Sequence, residues 1–263
     1  MLANTLMITL THPQDTAREA EFNEWYTGNH VPDVLQAPGF RDAIRCKLAL
    51  TVAGDVSPYL ALYHVDSDDG VAADEALTEY LATPNPTGLE IPPSADAPDG
   101  NLVLLDVGAY FRKRLEVGHN DASPHNAPKA VLITMTGPAD GIPVQELNTW
   151  YDAHVDDIVT TPGIRGGARY DLVKVRQGTI SPYFAFYDLD TNDVEQVVDD
   201  LAKTMAVCPS GGIPTSPDGE PWLQVDGFAY FTLVSAHTTE FTLLPSPFAS
   251  PVASVASELS STA

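Results

Sequence analysis

The sequence predicts an α+β protein built from two fused β-α-β-β-α-β units whose sheets pack into one α/β barrel. Three observations carry that expectation. First, Glu21-Phe22-Asn23-Glu24-Trp25-Tyr26, continuing to His30 and Asp33 and followed by Pro38-Gly39-Phe40, returns later as Glu146-Leu147-Asn148-Thr149-Trp150-Tyr151, continuing to His154 and Asp157 and followed by Pro162-Gly163-Ile164. Second, the order strand, helix, strand, strand, helix, strand repeats around each copy. Third, a single unit would leave one apolar sheet face in water. Joining two units removes both faces, at roughly 25 cal/mol per Å² buried.

In chain order, Leu6 to Thr11 is apolar and β-branched and reads as a strand. A helix begins near Thr16 and carries Phe22, Trp25 and Tyr26 on its apolar side. Strands follow at about 41–50 and at Tyr59 to Val65, where Tyr59, Ala61, Tyr63 and Val65 share one face by the two-residue period. A second helix covers Ala73 to Leu81. A Pro/Gly-rich excursion from Pro84 to Gly100 precedes a fourth strand, Leu102 to Phe111. The order restarts with strand Ala130 to Thr136, helix Val144 to Thr160, strand Arg165 to Lys174 and a stretch from Ser181 to Asp190 that matches Ser57 to Asp66. Helix Asp193 to Met205 and strand Leu223 to Phe231 complete it. The resulting units are 1–116 and 130–235, joined by a linker over 117–129 that holds His119 and His125. An extended Ser/Ala/Pro-rich tail occupies 236–263, with Phe241, Leu243, Leu244 and Phe248 as its apolar side chains.

Charge excludes some partners. The 263 residues carry 36 Asp and Glu against 13 Lys and Arg, a formal charge of -23, without a clustered basic patch. Such a surface repels phosphate backbones and anionic lipids, so neither nucleic acid nor a membrane is expected as partner. No apolar run spans a bilayer and no secretory signal is apparent, which leads to a cytoplasmic expectation. Cys46 and Cys208 are too few and too far apart for a disulfide scaffold or a zinc motif.

The repeated helix concentrates the groups able to do chemistry. His30 and Asp33 are three residues apart, as are His154 and Asp157. On a helix that spacing lets a carboxylate orient an imidazole and raise its basicity. Tyr26 and Tyr151 are placed to donate a phenolic hydrogen bond to a carbonyl or enolate oxygen, and Trp25 and Trp150 to wall a pocket. Arg41, Arg45, Arg165 and Arg169 recur on the second strand of each unit and suit an anionic intermediate. Asp106 and Asp226 interrupt apolar strands and are further acid/base candidates. His64 has Asp188 as its counterpart in the other copy, which argues against a symmetric role there and leaves a place at the interface between units open. The copies differ by one residue, since His30 stands five beyond Trp25 and His154 four beyond Trp150. Either the first helix bulges near Gly28 and both rings point alike, or His30 turns away.

The pattern E-x-x-x-W-Y-x-x-H, followed by P-G-F or P-G-I and an arginine-bearing strand, resembles the dimeric α/β-barrel (ferredoxin-like) superfamily, most closely its EthD-like branch in tandem-duplicated form. The resemblance covers about 5–112 and 130–232. It implies a first-helix histidine as acid/base residue, which maps onto His154 and, across the extra residue, His30. The wider group includes cofactor-free monooxygenases, isomerases, polyketide dehydratases and cyclases, and haem enzymes. The leading expectation is a cofactor-independent lyase, a dehydratase or related C–O or C–C bond cleaver, acting on a small aromatic or polyketide-like molecule. The alternatives are a cofactor-free monooxygenase or isomerase of an aromatic compound, and a non-catalytic small-molecule binding or assembly protein. No cofactor and no metal are expected, and a homodimer is left open.

Overall fold

The computed structural model describes residues 2–82, 102–118 and 127–239. The Pro/Gly-rich excursion 84–100, His119 and His125, and the four apolar tail residues lie outside the described residues. Strands β1 (Thr5–Pro13), β2 (Phe40–Gly54), β3 (Tyr59–Val65) and β4 (Val103–Val117) belong to the first half, and β5 (Ala130–Pro138), β6 (Ile164–Gln177), β7 (Tyr183–Leu189) and β8 (Leu223–Thr238) to the second. They close into one antiparallel barrel in the order β1-β3-β2-β8-β5-β7-β6-β4. The expected α+β barrel is therefore what the chain forms.

Closure runs through strand edges. β2 pairs with β8 from Asp42 opposite Thr238 to Gly54 opposite Gly227, and β4 pairs with β6 from Gly108 opposite Gln177 to Val117 opposite Gly167. These joints lengthen the strands beyond the sequence expectation: β4 continues six residues past Phe111 and β8 seven past Phe231. Strands β4 and β8 thus run past the expected unit ends at 116 and 235. The outer half of β4 is charged and only partly buried, so its paired backbone holds it, whereas in β8 Leu233 and Ala236 still join the barrel core.

Alternation divides each strand between two cores. Leu6, Ile8, Leu60, Leu62, Phe111, Val131, Ile133, Phe184 and Phe231 point into the barrel and fill it. The other faces meet the helices. Tyr59, Ala61, Tyr63 and Val65 pack with Phe22, Trp25 and Tyr26, as the two-residue period anticipated. In the second half Leu132, Ala185 and Tyr187 do the same against Leu147, Tyr151 and Val155.

The first helical layer comprises a 3-10 turn at Thr16–Arg18, α1 (Glu19–Trp25), a π-helical turn at Tyr26–His30 and α2 (Val31–Val34). Its second helix is α3 (Gly70–Ala82). The second half has α4 (Val144–Val159), a single unbroken helix, and α5 (Val194–Met205). The π turn is where the additional residue goes. The Val31 amide donates to the Tyr26 carbonyl five residues back, so one turn absorbs an extra residue without ending the helix. No helix among the described residues is long and apolar enough to cross a membrane.

Candidate functional site

The π turn decides where His30 goes. With the extra residue absorbed, its ring stacks on Trp25 at 5.0 Å and 28° and meets the Tyr26 ring edge-on at 4.7 Å. His154 stacks on Trp150 at 4.6 Å and 22° from the regular α4. Both imidazoles therefore point alike, and the bulged alternative is the one the chain adopts.

Each histidine lines a cavity between its helix and the outer face of the sheet. The first, about 200 Å³, is bounded by Trp25, Tyr26, His30, Tyr63, Tyr110 and Arg176 among others. The second, about 130 Å³, is bounded by Thr134, Thr136, Trp150, Tyr151, His154 and Tyr187 among others. Matched hydroxyl pairs sit in both. The Tyr26 hydroxyl is 3.0 Å from Thr9 Oγ1, and the Tyr151 hydroxyl 3.0 Å from Thr134 Oγ1. Thr136 also donates to Tyr151 at 3.3 Å, leaving the phenolic proton for Thr134 or for a bound molecule.

The expected histidine–aspartate contact is not formed in either half. His30 Nδ1 is shielded and has no hydrogen-bond partner among the described residues. Burial pushes its imidazole down to about 4, and the Arg45 charge acts in the same direction. His154 Nδ1 instead meets Ser210 Oγ at 3.1 Å, and the Ser210 amide donates to Asp157 Oδ2 at 2.8 Å. Helical spacing places Asp157 on the next turn, where its carboxylate caps the Ser210 backbone before it can reach the imidazole. Its charge raises the His154 pKa, but burial outweighs it and the net shift is downward. Ser210, which the sequence reading missed, is further held by Trp150, whose Nε1 donates to its carbonyl at 3.1 Å. Nothing in its Pro/Gly-rich loop marked it as a partner of the histidine.

The arginines separate into two pairs. Arg41 is ion-paired with Asp42 at 2.7 Å and with Asp66 at 3.2 Å, and Arg165 lies 3.8 Å from Asp188. Neither lines a histidine cavity, which corrects their expected role: acidic neighbours at the strand ends hold them. Nearby, His64 Nδ1 pairs with Asp42, and its ring lies 6.3 Å from Phe186 of the other half, so it does sit where the halves meet. Arg45 and Arg169 are buried, at 1% and 0% exposure, beneath the site tyrosines. Arg45 lies 4.5 Å from the Tyr26 ring centre and Arg169 4.2 Å from that of Tyr151. They support the cavity wall from behind and do not line it.

Asp106 and Asp226 are also displaced from the histidines. Each is the extra residue of a β-bulge, between the Leu10–Val107 and Thr11–Leu105 pairs and between the Met135–Gly227 and Thr136–Val225 pairs. The bulges turn both carboxylates to one end of the barrel. Of the expected site residues, the structure therefore unites Trp25, Tyr26 and His30 in one cavity and Trp150, Tyr151 and His154 in the other. Asp33 is buried on α2 and Asp157 acts on Ser210, while Arg41, Arg165, Asp106 and Asp226 lie elsewhere.

An anthrone oxidase-like protein superposes with a TM-score of 0.51 at 11% identity, over 89% of this chain and 93% of that one. A candidate monooxygenase of Fusobacterium nucleatum gives 0.52 at 10% identity, over 90% and 96%. The fold is that of the ferredoxin-like dimeric α+β barrels. At such identities the likeness concerns the barrel alone. In sequence, core atranone cluster protein 1 of Stachybotrys chlorohalonatus is 34% identical over 90 residues, which span 34% of this chain and 37% of that protein. No protein-family model matches the chain.

Proposed function

We propose that this barrel protein is an enzyme that acts on a small aromatic or polyketide-like molecule, held between the first helix of a half and the sheet. The observation that carries the reading is an imidazole stacked on tryptophan and facing an apolar cavity with a tyrosine hydroxyl, constructed twice. The names of the atranone-cluster relative and the anthrone oxidase-like neighbour support the compound class. We also take the chain to be a tandem duplication of one EthD-like unit, with units at 1–116 and 130–235. The returning helix motif and matched strand registers support this.

His154 is the preferred proton acceptor. The Ser210 hydroxyl lies 3.4 Å from the Gly211 carbonyl, to which it can donate while accepting from His154 Nδ1. That tautomer leaves Nε2 with its lone pair. His30 is the poorer base. Taking a proton from a phenol of pKa ~10 onto an imidazole at about 4 is uphill by about 8 kcal/mol. His154 has Asp157 to offset part of its burial, and His30 has Arg45 to deepen it.

The leading reaction is a dehydration. His154 Nε2 removes a proton from carbon beside a carbonyl, and the enolate oxygen takes the Tyr151 hydrogen bond. The electron pair then forms the new double bond as a β-hydroxyl leaves, protonated by the same imidazole, as water. Restricted access of water to the cavity strengthens both contacts. A cofactor-free monooxygenase is the second reading, favoured by the names of the structural neighbours.

Turnover of a panel of β-hydroxy carbonyl and anthrone-type compounds without oxygen tests both. Loss of one water, with His154→Ala slowing the reaction by about 10²–10⁴-fold and His30→Ala by less, is the expected result. A product gaining oxygen, formed only in air, would replace the dehydration with the second reading. Full activity in the double variant would remove the catalytic account.

A further inference from the structure

A larger cavity, about 730 Å³, lies at the end of the barrel where the β2–β3 and β6–β7 connections turn, away from both histidine cavities. The two halves line it with matched residues: Leu10 with Met135, Val56 with Ile180, Ser57 with Ser181 and Asp106 with Asp226. Ser57 Oγ donates to Asp106 Oδ2 at 2.7 Å, and Ser181 Oγ donates to Asp226 Oδ2 in the same way. Neighbouring loops press closely on the backbone of these bulged residues. A Cβ on Gly178 would fall 1.9 Å from the Asp106 carbonyl oxygen and one on Gly54 2.0 Å from that of Asp226.

The match fails at one informative place. His12 lines this groove, whereas Gly137 stands at the corresponding position of the second half. His12 Nδ1 lies 2.7 Å from Asp106 Oδ2, the atom that also accepts from Ser57. An ionised carboxylate can only accept, so Nδ1 carries a proton, and in the neutral ring Nε2 keeps its lone pair. The His12 side chain is 36% exposed, so a molecule in the groove can reach it. This is the oriented imidazole that the sequence led us to expect on the helix, formed instead at the barrel mouth.

We propose that the groove is a second ligand site, distinct from the helix cavities, for an apolar molecule with a hydrogen-bond-donating head, a hydroxyl or an ammonium. His12 Nε2 accepts from the head, Asp106 holds the ring, and Leu10, Val56, Val107, Met135 and Ile180 receive the apolar body. Asp55, Asp106 and Asp226 around the same groove disfavour an anionic ligand. The site does not depend on any reaction at His30 or His154.

The test follows the His12 imidazole by nuclear magnetic resonance during titration with α-naphthol, its methyl ether, naphthylmethylamine and naphthoate. Naphthol or the amine shifts the His12 ring without shifting those of His30 and His154, and the tighter of the two names the head. The ether binds about tenfold more weakly than naphthol, the loss of one hydrogen bond, and naphthoate does not bind. His12→Gly, which copies the second half, weakens naphthol by a similar factor and leaves the ether unchanged. Asp106→Ala, which removes the acceptor of His12 Nδ1, serves in its place if the glycine variant does not fold. Equal binding of naphthol and ether, a shift confined to His30 or His154, or unchanged naphthol affinity in a folded His12 variant would overturn the proposal.

Discussion

At the scale of single residues, the two buried arginines separate the halves most clearly. Arg169 donates to Asp152 at 2.7 Å and to Asn148, so its charge is paired. Arg45 has only Thr27 Oγ1, at 3.2 Å, with Nε and Nη2 unpaired among the described residues. A buried cation without a counter-charge is costly. We expect Thr27→Asp, which copies Asp152, to raise the thermal midpoint by several degrees, corresponding to about 2 kcal/mol for a charged hydrogen bond. An unchanged or lower midpoint would count against this account. Two buried histidines contribute strongly to the pH response. His30 and His237 are both held neutral by burial, at about 4 against the ordinary 6.5, and the Arg45 charge adds to each shift. Between pH 6.5 and about 4 the unfolded chain takes up protons that the folded chain refuses. Their contribution to stability therefore falls as pH drops through that window and levels off below it. Each histidine accounts for at most about 3 kcal/mol, and for less at His30, the more exposed residue of the two. Urea denaturation at several pH values would show the slope, and His237→Phe should reduce it.

At the scale of elements, the first helix shows how one inserted residue is accommodated. A regular helix with an extra residue would turn His30 about a quarter of the way round the axis and out of the cavity. The π turn at Tyr26–His30 prevents this, and the stacking on Trp25 matches that on Trp150. Gly28 within the turn is exposed, has a helical backbone, and would carry a Cβ with no heavy atom within 4 Å. Gly28→Ala is therefore expected to stabilise the protein by about 0.5–1 kcal/mol through helix propensity alone. A loss of stability on chemical denaturation would show that the turn depends on glycine. The inserted residue was legible in the spacing from tryptophan to histidine. What absorbed it was not, because two competing backbone responses are compatible with the same letters.

At the scale of the whole molecule, the barrel depends on the edge joints. β8 continues past Phe231, and Leu233 to Thr238 pair with Cys46 to Asp42. A chain ending at Phe231, where the apolar alternation suggested the strand would stop, loses that segment and exposes the β2 edge. It is expected to aggregate or to melt without a cooperative transition. A chain ending at Thr239 retains every strand pairing described and should remain folded. Circular dichroism melts and size-exclusion profiles of the two would decide. Cooperative melting of the shorter chain at the full-length midpoint would mean that the β2–β8 joint contributes little.

Period and repetition in the sequence determined the two β-α-β-β-α-β units, the face shared by Tyr59, Ala61, Tyr63 and Val65, and the gathering of Trp, Tyr and His on each first helix. Those features are local, arising from side-chain alternation and helical spacing, and a linear pattern records them. Tertiary structure alone decided which partner each charged group found. Asp157 took the Ser210 amide, Arg41 and Arg165 took nearby carboxylates, and two bulges carried Asp106 and Asp226 to the far end of the barrel, where one of them met His12. Electrostatic partners are set by distance through space, and residues such as His12 and Asp106 become neighbours only once the strands between them have paired.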